Sequence, residues 1–237
     1  AIYGDNIVVG VNSYYGTTPG SAYVFSKQPD GSWAQVSKLT ASDGSPRDYF
    51  GSSVAIYGDN IVVGSERDDD YEINSGAVYL YSKQPDGSWA QVSNLTASDA
   101  NRNDMFGRSV AMYGDNIVVG AYGDENNSGS AYVFSKQTDG SWNQVSKMIA
   151  SDGANNDRFG DSVAIYGDNI VVGSFLDDDN GSDSGSAYVF SKQPDGSWDQ
   201  VSKTTRGSST DWFGWRVSMY ENHILITNQS RAFHIYE

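Results

Sequence analysis

The sequence predicts an all-β fold, a β-propeller of five blades of four antiparallel strands with an incomplete last blade, on three observations. First, the segment AIYGDNIVVG at Ala1 returns as VAIYGDNIVVG, VAMYGDNIVVG and VAIYGDNIVVG, and then, decayed, as VSMYENHILIT. Second, its tyrosines, Tyr3, Tyr57, Tyr113, Tyr166 and Tyr220, recur roughly every 54 residues, the length of a four-stranded blade. Third, other markers keep the same register: DGSW places Trp33, Trp89, Trp142 and Trp198, and Phe-Gly falls at Phe50, Phe106, Phe159 and Phe213. The repeats run over about 1–49, 50–105, 106–158, 159–212 and 213–237, read as one domain over 1–237.

Each repeat divides into four strands. The first, as in SSVAIY, is rich in small residues and suits a crowded centre. The second, NIVVGS, is apolar on both faces, as a strand between stacked sheets must be. The third is SAYVFSK or a variant. The fourth, WAQVSKLTA, is the most polar and suits a solvated rim. Gly at the first central position of Tyr-Gly-Asp-Asn predicts a two-residue type II′ hairpin between the first two strands. Gln-Pro-Asp-Gly turns the chain between the last two. A β-sandwich is the alternative architecture, but near-identical repeats favour radial stacking.

Composition narrows the function. Apolar residues make up 38% and aromatics 13% of the 237 residues, enough to build a core. A net charge of −15 repels nucleic acid and anionic lipid, and favours cations or a basic partner. Without cysteine there is no disulfide or thiol chemistry. No apolar run is long enough to insert in a membrane. The only histidines, His223 and His234, fall in the decayed last repeat, where no Ser-His-Asp set or histidine metal cluster can be assembled from them. The expectation is a protein that is not an enzyme and carries no organic cofactor.

The acidic residues concentrate in the loops leaving strand two and entering strand one, which share one end of a blade. Asp68, Asp70, Glu72 and Asn74 alternate along one loop, and Asp177, Asp179 and Asp183 along another. Oxygen ligands at every second residue are what Ca²⁺ loops use, and a solvated loop closed by Asx turns is the alternative. Asp48, Asp104, Asp157 and Asp211, which precede each Phe-Gly, are expected to accept backbone N–H groups between blades. The tryptophans offer sugar-stacking faces, but each starts a rim strand beside a turn, and packing over that hairpin explains them. Asn94, Asn126, Asn180 and Asn228 begin N-glycosylation triplets. The last third strand, Ala232, Phe233, His234, Ile235 and Tyr236, has no fourth strand after it. It is expected to be an edge that recruits a partner strand in a homo- or hetero-assembly, or that belongs to a trimmed precursor.

The run from Phe50-Gly51 to Val63-Gly64, repeated from Phe106, Phe159 and more weakly Phe213, resembles the FG-GAP repeat of integrin α-subunits and many secreted proteins. The resemblance covers essentially the whole chain. It implies an extracellular, non-enzymatic propeller used in adhesion or ligand binding. Two features depart from the integrin pattern. The hairpin between the first two strands is only Gly-Asp, too short for the integrin calcium loop, and the repeats number five where integrins have seven blades. The function expected is recognition of a protein, matrix or glycan partner, assisted by Ca²⁺. The alternatives are a structural subunit of an extracellular filament or coat, and a glycan-binding lectin.

Overall fold

The computed structural model describes residues 1–13, 16–206, 208–229 and, as backbone, 233–236. The chain is all-β apart from one short turn, and its contacts group into two compact units, Ala1–Gly114 and Asp115–Glu237.

The first unit opens with a four-stranded antiparallel set, β1 (Ile2–Tyr3), β2 (Asn6–Asn12), β3 (Gly20–Lys27) and β4 (Trp33–Leu39). A second set follows: β5 (Phe50–Tyr57), β6 (Asn60–Ser65), β7 (Ala77–Lys83) and β8 (Trp89–Leu95). Strand β9 (Ser109–Tyr113) then packs beside β5 and β6. The second unit contains β10 (Asn116–Ala121), β11 (Ser130–Lys136) and β12 (Trp142–Met148), then the complete set β13 (Phe159–Tyr166), β14 (Asn169–Ser174), β15 (Ser186–Lys192) and β16 (Trp198–Thr205). It closes with a three-stranded sheet of β17 (Arg216–Tyr220), β18 (His223–Thr227) and β19 (Phe233–Tyr236). These are the propeller-like blades the repeats predict.

Local geometry follows the residues. In the Tyr57–Asn60 hairpin Gly58 takes φ +57° while Asp59 stays at negative φ, as a type II′ turn requires. Gly31 N–H donates to Gln28 O at 2.9 Å to close the Gln-Pro-Asp-Gly turn. The second strand is buried on both faces: Val62 and Val63, neighbours that point oppositely, are both fully buried. The outer strands carry the polar residues, and each contains a bulge. The register skips Val36, Val92, Val145 and Val201, which stay exposed at the rim. Bulges of this kind twist an open edge away from pairing. At the other end of the central strands Tyr3 and Tyr113 each lie against Tyr57, with ring centroids 4.7 and 5.0 Å apart, and in the second unit Tyr166 lies 5.3 Å from Tyr220.

Neighbouring blades meet backbone on backbone at Phe-Gly. The N–H groups of Phe50, Phe106, Phe159 and Phe213 donate to the carbonyls of Pro19, Ser75, Ser128 and Ser184 at 2.9–3.0 Å. The glycine that follows each of those carbonyls, Gly20, Gly76, Gly129 or Gly185, adopts positive φ, and a Cβ there would lie 2.0 Å from the phenylalanine carbonyl oxygen. In strand two a Cβ on Gly10, Gly64 or Gly173 would lie 2.1–2.2 Å from the carbonyl oxygen of Gly51, Gly107 or Gly214. The four phenylalanine rings are buried in the resulting seams.

Two substitutions separate this close approach from backbone conformation alone. Gly76 and Gly87 have nearly equal φ, +83° and +85°, but nothing lies within 4 Å of a Cβ on Gly87. Gly87→Ala should cost about 1 kcal/mol, the left-handed penalty. Gly76→Ala should cost about 3 kcal/mol or more, since the Phe106 backbone must also move. Equal losses in urea unfolding would show that the seam yields freely.

Candidate functional site

The acidic loops are built on buried anchors. Asp68, 2% exposed, accepts a 2.7 Å hydrogen bond from Tyr79 Oη through Oδ2, and through Oδ1 the N–H of Asp70. Asp177 repeats both contacts with Tyr188 and Asp179, and Asp124 is bound by Tyr132 Oη at 3.0 Å. At the loop tips Asp69 and Asp178 accept the N–H groups of Asn74 and Asp183 at 2.6 and 2.8 Å. Asn74 also donates through Nδ2 to Asn103 Oδ1. The Asp124–Asn127 turn is tight, with Glu125, Asn126 and Asn127 all at positive φ.

The residues expected to ligate calcium are therefore divided. Asp68 and Asp177 face inward to tyrosines; Asp70, Glu72 and Asp179 are exposed; Asn74 and Asp183 shape the loops. Among the described residues no three acidic or histidine side chains are gathered at metal-ligand geometry. The loops use their carboxylates to hold their own amides, the arrangement of Asx-closed loops.

The side chains of the aspartates before Phe-Gly accept N–H groups of their own turns, three positions earlier, in place of the expected contacts between blades: Ser45 to Asp48, Asn101 to Asp104 and Ala154 to Asp157, at 2.5–2.7 Å. The Asp48 and Asp157 carbonyls also accept the Ser65 and Ser174 hydroxyls of the adjoining second strands. Asp211 accepts instead through its carbonyl from Gln229 N–H, and through Oδ1 from Asn228 Nδ2. Burial, reinforced by Asp68, Asp69 and Asp70, pushes the Asp48 carboxyl up to about 6. Burial first, then Asp177 and Asp178, pushes Asp157 up to about 6 as well.

Other expected positions fall as follows. Asn94, Asn126 and Asn180 are exposed, whereas Asn228 is buried, and that corrects its assignment as a glycan acceptor. Trp89 and Trp198 are also buried, while Trp33 is 42% exposed. Strand β19 lies at the edge of its sheet; Ala232 is outside the described residues. The repeat pattern did not reveal the ion pairs. Lys203 Nζ contacts Asp152 at 2.6 Å, Asp177 at 3.1 Å and Asp179, and Lys147 contacts Asp124 at 2.7 Å. An aromatic cluster of Phe175, Trp212 and Trp215, the tryptophans stacked at 4.9 Å, was also not anticipated. Cross-strand pairing of the SAYVFSK tyrosine with the QVSK lysine could have shown the first. The second depends on residues that do not repeat.

Raised carboxyl values set the pH response. Between the ordinary value of 3.8 and about 6 the folded protein holds more protons at Asp48 and Asp157 than the unfolded chain does. Stability therefore falls as pH rises through that window and levels off above it. The exposed turn residues Asp30, Asp86, Asp139 and Asp195 are shifted down by their serine hydrogen bonds, so their contribution is lost only below about 3.8. The Tm should be higher at pH 5 than at pH 7.5, and Asp48→Asn with Asp157→Asn should flatten the difference. A Tm that falls on acidification to pH 5 would contradict this balance.

Comparison with family profiles matches the FG-GAP repeat at residues 33–81, 89–134 and 142–190. No curated protein matches. Among solved structures, that of the computationally designed Ika4 protein aligns over 78% of this chain and 89% of its own, with TM-score 0.49 and 9% identity. No helix among the described residues is long and apolar enough to cross a membrane. Each matched segment runs from an outer strand through a Phe-Gly seam or its equivalent into the third strand of the next repeat, and together the segments span well over half of the chain. With its seams and its repeats both accounted for by that unit, the chain belongs to the FG-GAP repeat family.

Proposed function

We propose that this protein is a non-enzymatic, extracellular adhesion or recognition module, a five-bladed propeller that binds a protein or matrix partner through its acidic loops. The observation that carries the reading is the Asp69–Ile73 loop. Its carboxylates Asp69, Asp70 and Glu72 alternate with Tyr71 and Ile73, which are 67% and 47% exposed. The loop is anchored below by the buried Asp68–Tyr79 bond. An exposed aromatic and an aliphatic side chain set among charges, on a rigid base, supply contact area together with electrostatic selection. The net charge of −15 favours a basic partner surface. FG-GAP membership supports the extracellular setting.

Calcium belongs to the same proposal. Asp68, Asp70, Glu72 and Asn74, and Asp177, Asp179 and Asp183, are its candidates, and binding would require the exposed carboxylates to converge from their positions in the free loops. A structural subunit of a filament or coat is the second reading. It is favoured by the β19 edge, where a second chain could add a strand. A lectin is the third, with Trp33 as the most accessible of the four repeat tryptophans.

Binding of the purified domain to basic and acidic matrix proteins, measured at low and high salt, tests the main reading. Capture should favour basic partners, weaken as salt rises, and fall at least about tenfold in a Tyr71→Ala, Ile73→Ser double variant. In parallel, Tm should rise with millimolar Ca²⁺ and drop with chelator. Binding unaffected by the loop variant would remove the loop reading, and an unchanged Tm would remove calcium. Filaments by negative-stain microscopy, or hits confined to a glycan array, would move the function to the second or third reading.

A further inference from the structure

The third and fourth strands pair a tyrosine with a fixed cross-strand neighbour in four repeats: Tyr23 with Lys38, Tyr79 with Asn94, Tyr132 with Lys147 and Tyr188 with Lys203. In three of them the partner is lysine, and its ammonium lies over the tyrosine ring, 5.8, 5.6 and 5.0 Å from the centroid. In repeat four that ammonium is also clamped by Asp152, Asp177 and Asp179. Repeat two retains every other part of this clamp. Tyr79 Oη is bonded to Asp68, and Asp43 and Asp70 occupy the positions of Asp152 and Asp179. Only the lysine is missing.

Asn94 ends two bonds short of a lysine ammonium, and an open surface depression lined by Ser42, Asp43, Gln91, Val92, Ser93 and Asn94 meets the site at Asp43 and Asn94. Among the described residues no lysine or arginine forms an ion pair with Asp43, Asp68 or Asp70. The electrostatics register the loss. Burial, and then their acidic neighbours, raise the Asp68 and Asp70 carboxyls, although Tyr79 opposes the shift at Asp68. In repeat four the counterpart of Asp43 is Asp152, an exposed carboxylate: slight burial raises it, but Lys203 and Tyr188 outweigh that and hold it below its ordinary value. A pair of carboxylates without a cation beside an aromatic face is a site for a charged amine.

We propose that repeat two carries a receptor for a primary ammonium, filled by a lysine side chain of a partner protein in the place that Lys203 fills in repeat four. The ligand class is read from the two other repeats in which lysine already closes the equivalent acidic pocket. Tyr79 supplies the ring face, Asp68 the buried carboxylate, and Asp43 and Asp70 the exposed rim. The inference deepens the recognition reading and rests on it only for the source of the lysine. The pocket can be tested with a free amine even where no partner protein is found.

The test is titration of the whole chain with n-butylamine, with the end-blocked peptide acetyl-Gly-Lys-Gly-amide, and with the same blocked peptide also acetylated on the lysine Nζ, followed by amide shifts of β7 and β8 and by calorimetry. The amine and the lysine peptide should bind with a stoichiometry of one, and the Nζ-acetylated peptide should not. Asn94→Lys should abolish binding and raise the Tm, because the missing ammonium is then supplied from within. Lys203→Asn should open a second site and raise the stoichiometry to two. Binding that survives Asn94→Lys would reflect general attraction to an acidic protein and overturn the proposal, as would failure of wild type to bind either amine. Binding of butylamine with rejection of the peptide would overturn the protein source. Since these probes are small, failure of the pocket is distinct from failure of the Tyr71–Ile73 loop to capture matrix proteins.

Discussion

The structure depends on the approach of one backbone to another at Phe-Gly. A carbonyl oxygen of each Phe-Gly pair occupies space that a Cβ would need, so the glycines opposite are fixed by volume as well as by φ. The phenylalanine N–H is satisfied by the preceding blade, and its ring fills the seam. Backbone groups buried between sheets must find partners or cost stability. Here the partners come from the neighbouring repeat, so no blade is complete by itself. That dependence explains why the sequence unit matched by the family profile crosses from one blade into the next.

The loops inherit their positions from this seam. Asp48 and Asp157 lie two residues before the phenylalanine of Phe-Gly, bind the turn before them through their side chains, and bind the adjoining second strand through their carbonyls. The buried Asp–Tyr bonds then fix the base of each acidic loop. Carboxylates brought together this way repel, and the chain manages the repulsion differently in each repeat. Lys203 bridges three carboxylates in repeat four and Lys147 serves repeat three, whereas among the described residues no lysine or arginine pairs with the set in repeat two. Carboxylates crowded around the buried Asp68 are costly to keep charged, and in this respect repeat two differs from repeats three and four.

The fold was legible because the same residues recur in register. Apolar residues on both faces of NIVVGS report stacking, Gly58 and Gly31 report their turns, and the polar outer strands report the rim. The skipped valines were not legible: a bulge is a matter of pairing, and Val36 reads in sequence like any strand residue. The candidate site was legible only in part. Alternating acids in Asp68–Asn74 suggested one ligand sphere, but alternation in an irregular loop does not fix direction, and Asp68 turns inward to Tyr79. The lysine clamp joins residues far apart in sequence, such as Asp152 and Lys203. It becomes visible only when strand register places Lys203 opposite Tyr188.

Native-state hydrogen exchange measures the seam directly. The amides of Phe50, Phe106, Phe159 and Phe213 lie at the ends of acidic loops, where exchange is ordinarily fast, yet each donates across to the preceding repeat. If the seams hold the molecule together, these four amides exchange as slowly as those of Val62, Val118 and Val171 in the second strands, by way of the same large openings. Exchange at loop rates, with the second strands still protected, would show that the blades are stable separately and that the Phe-Gly contacts are incidental to the fold.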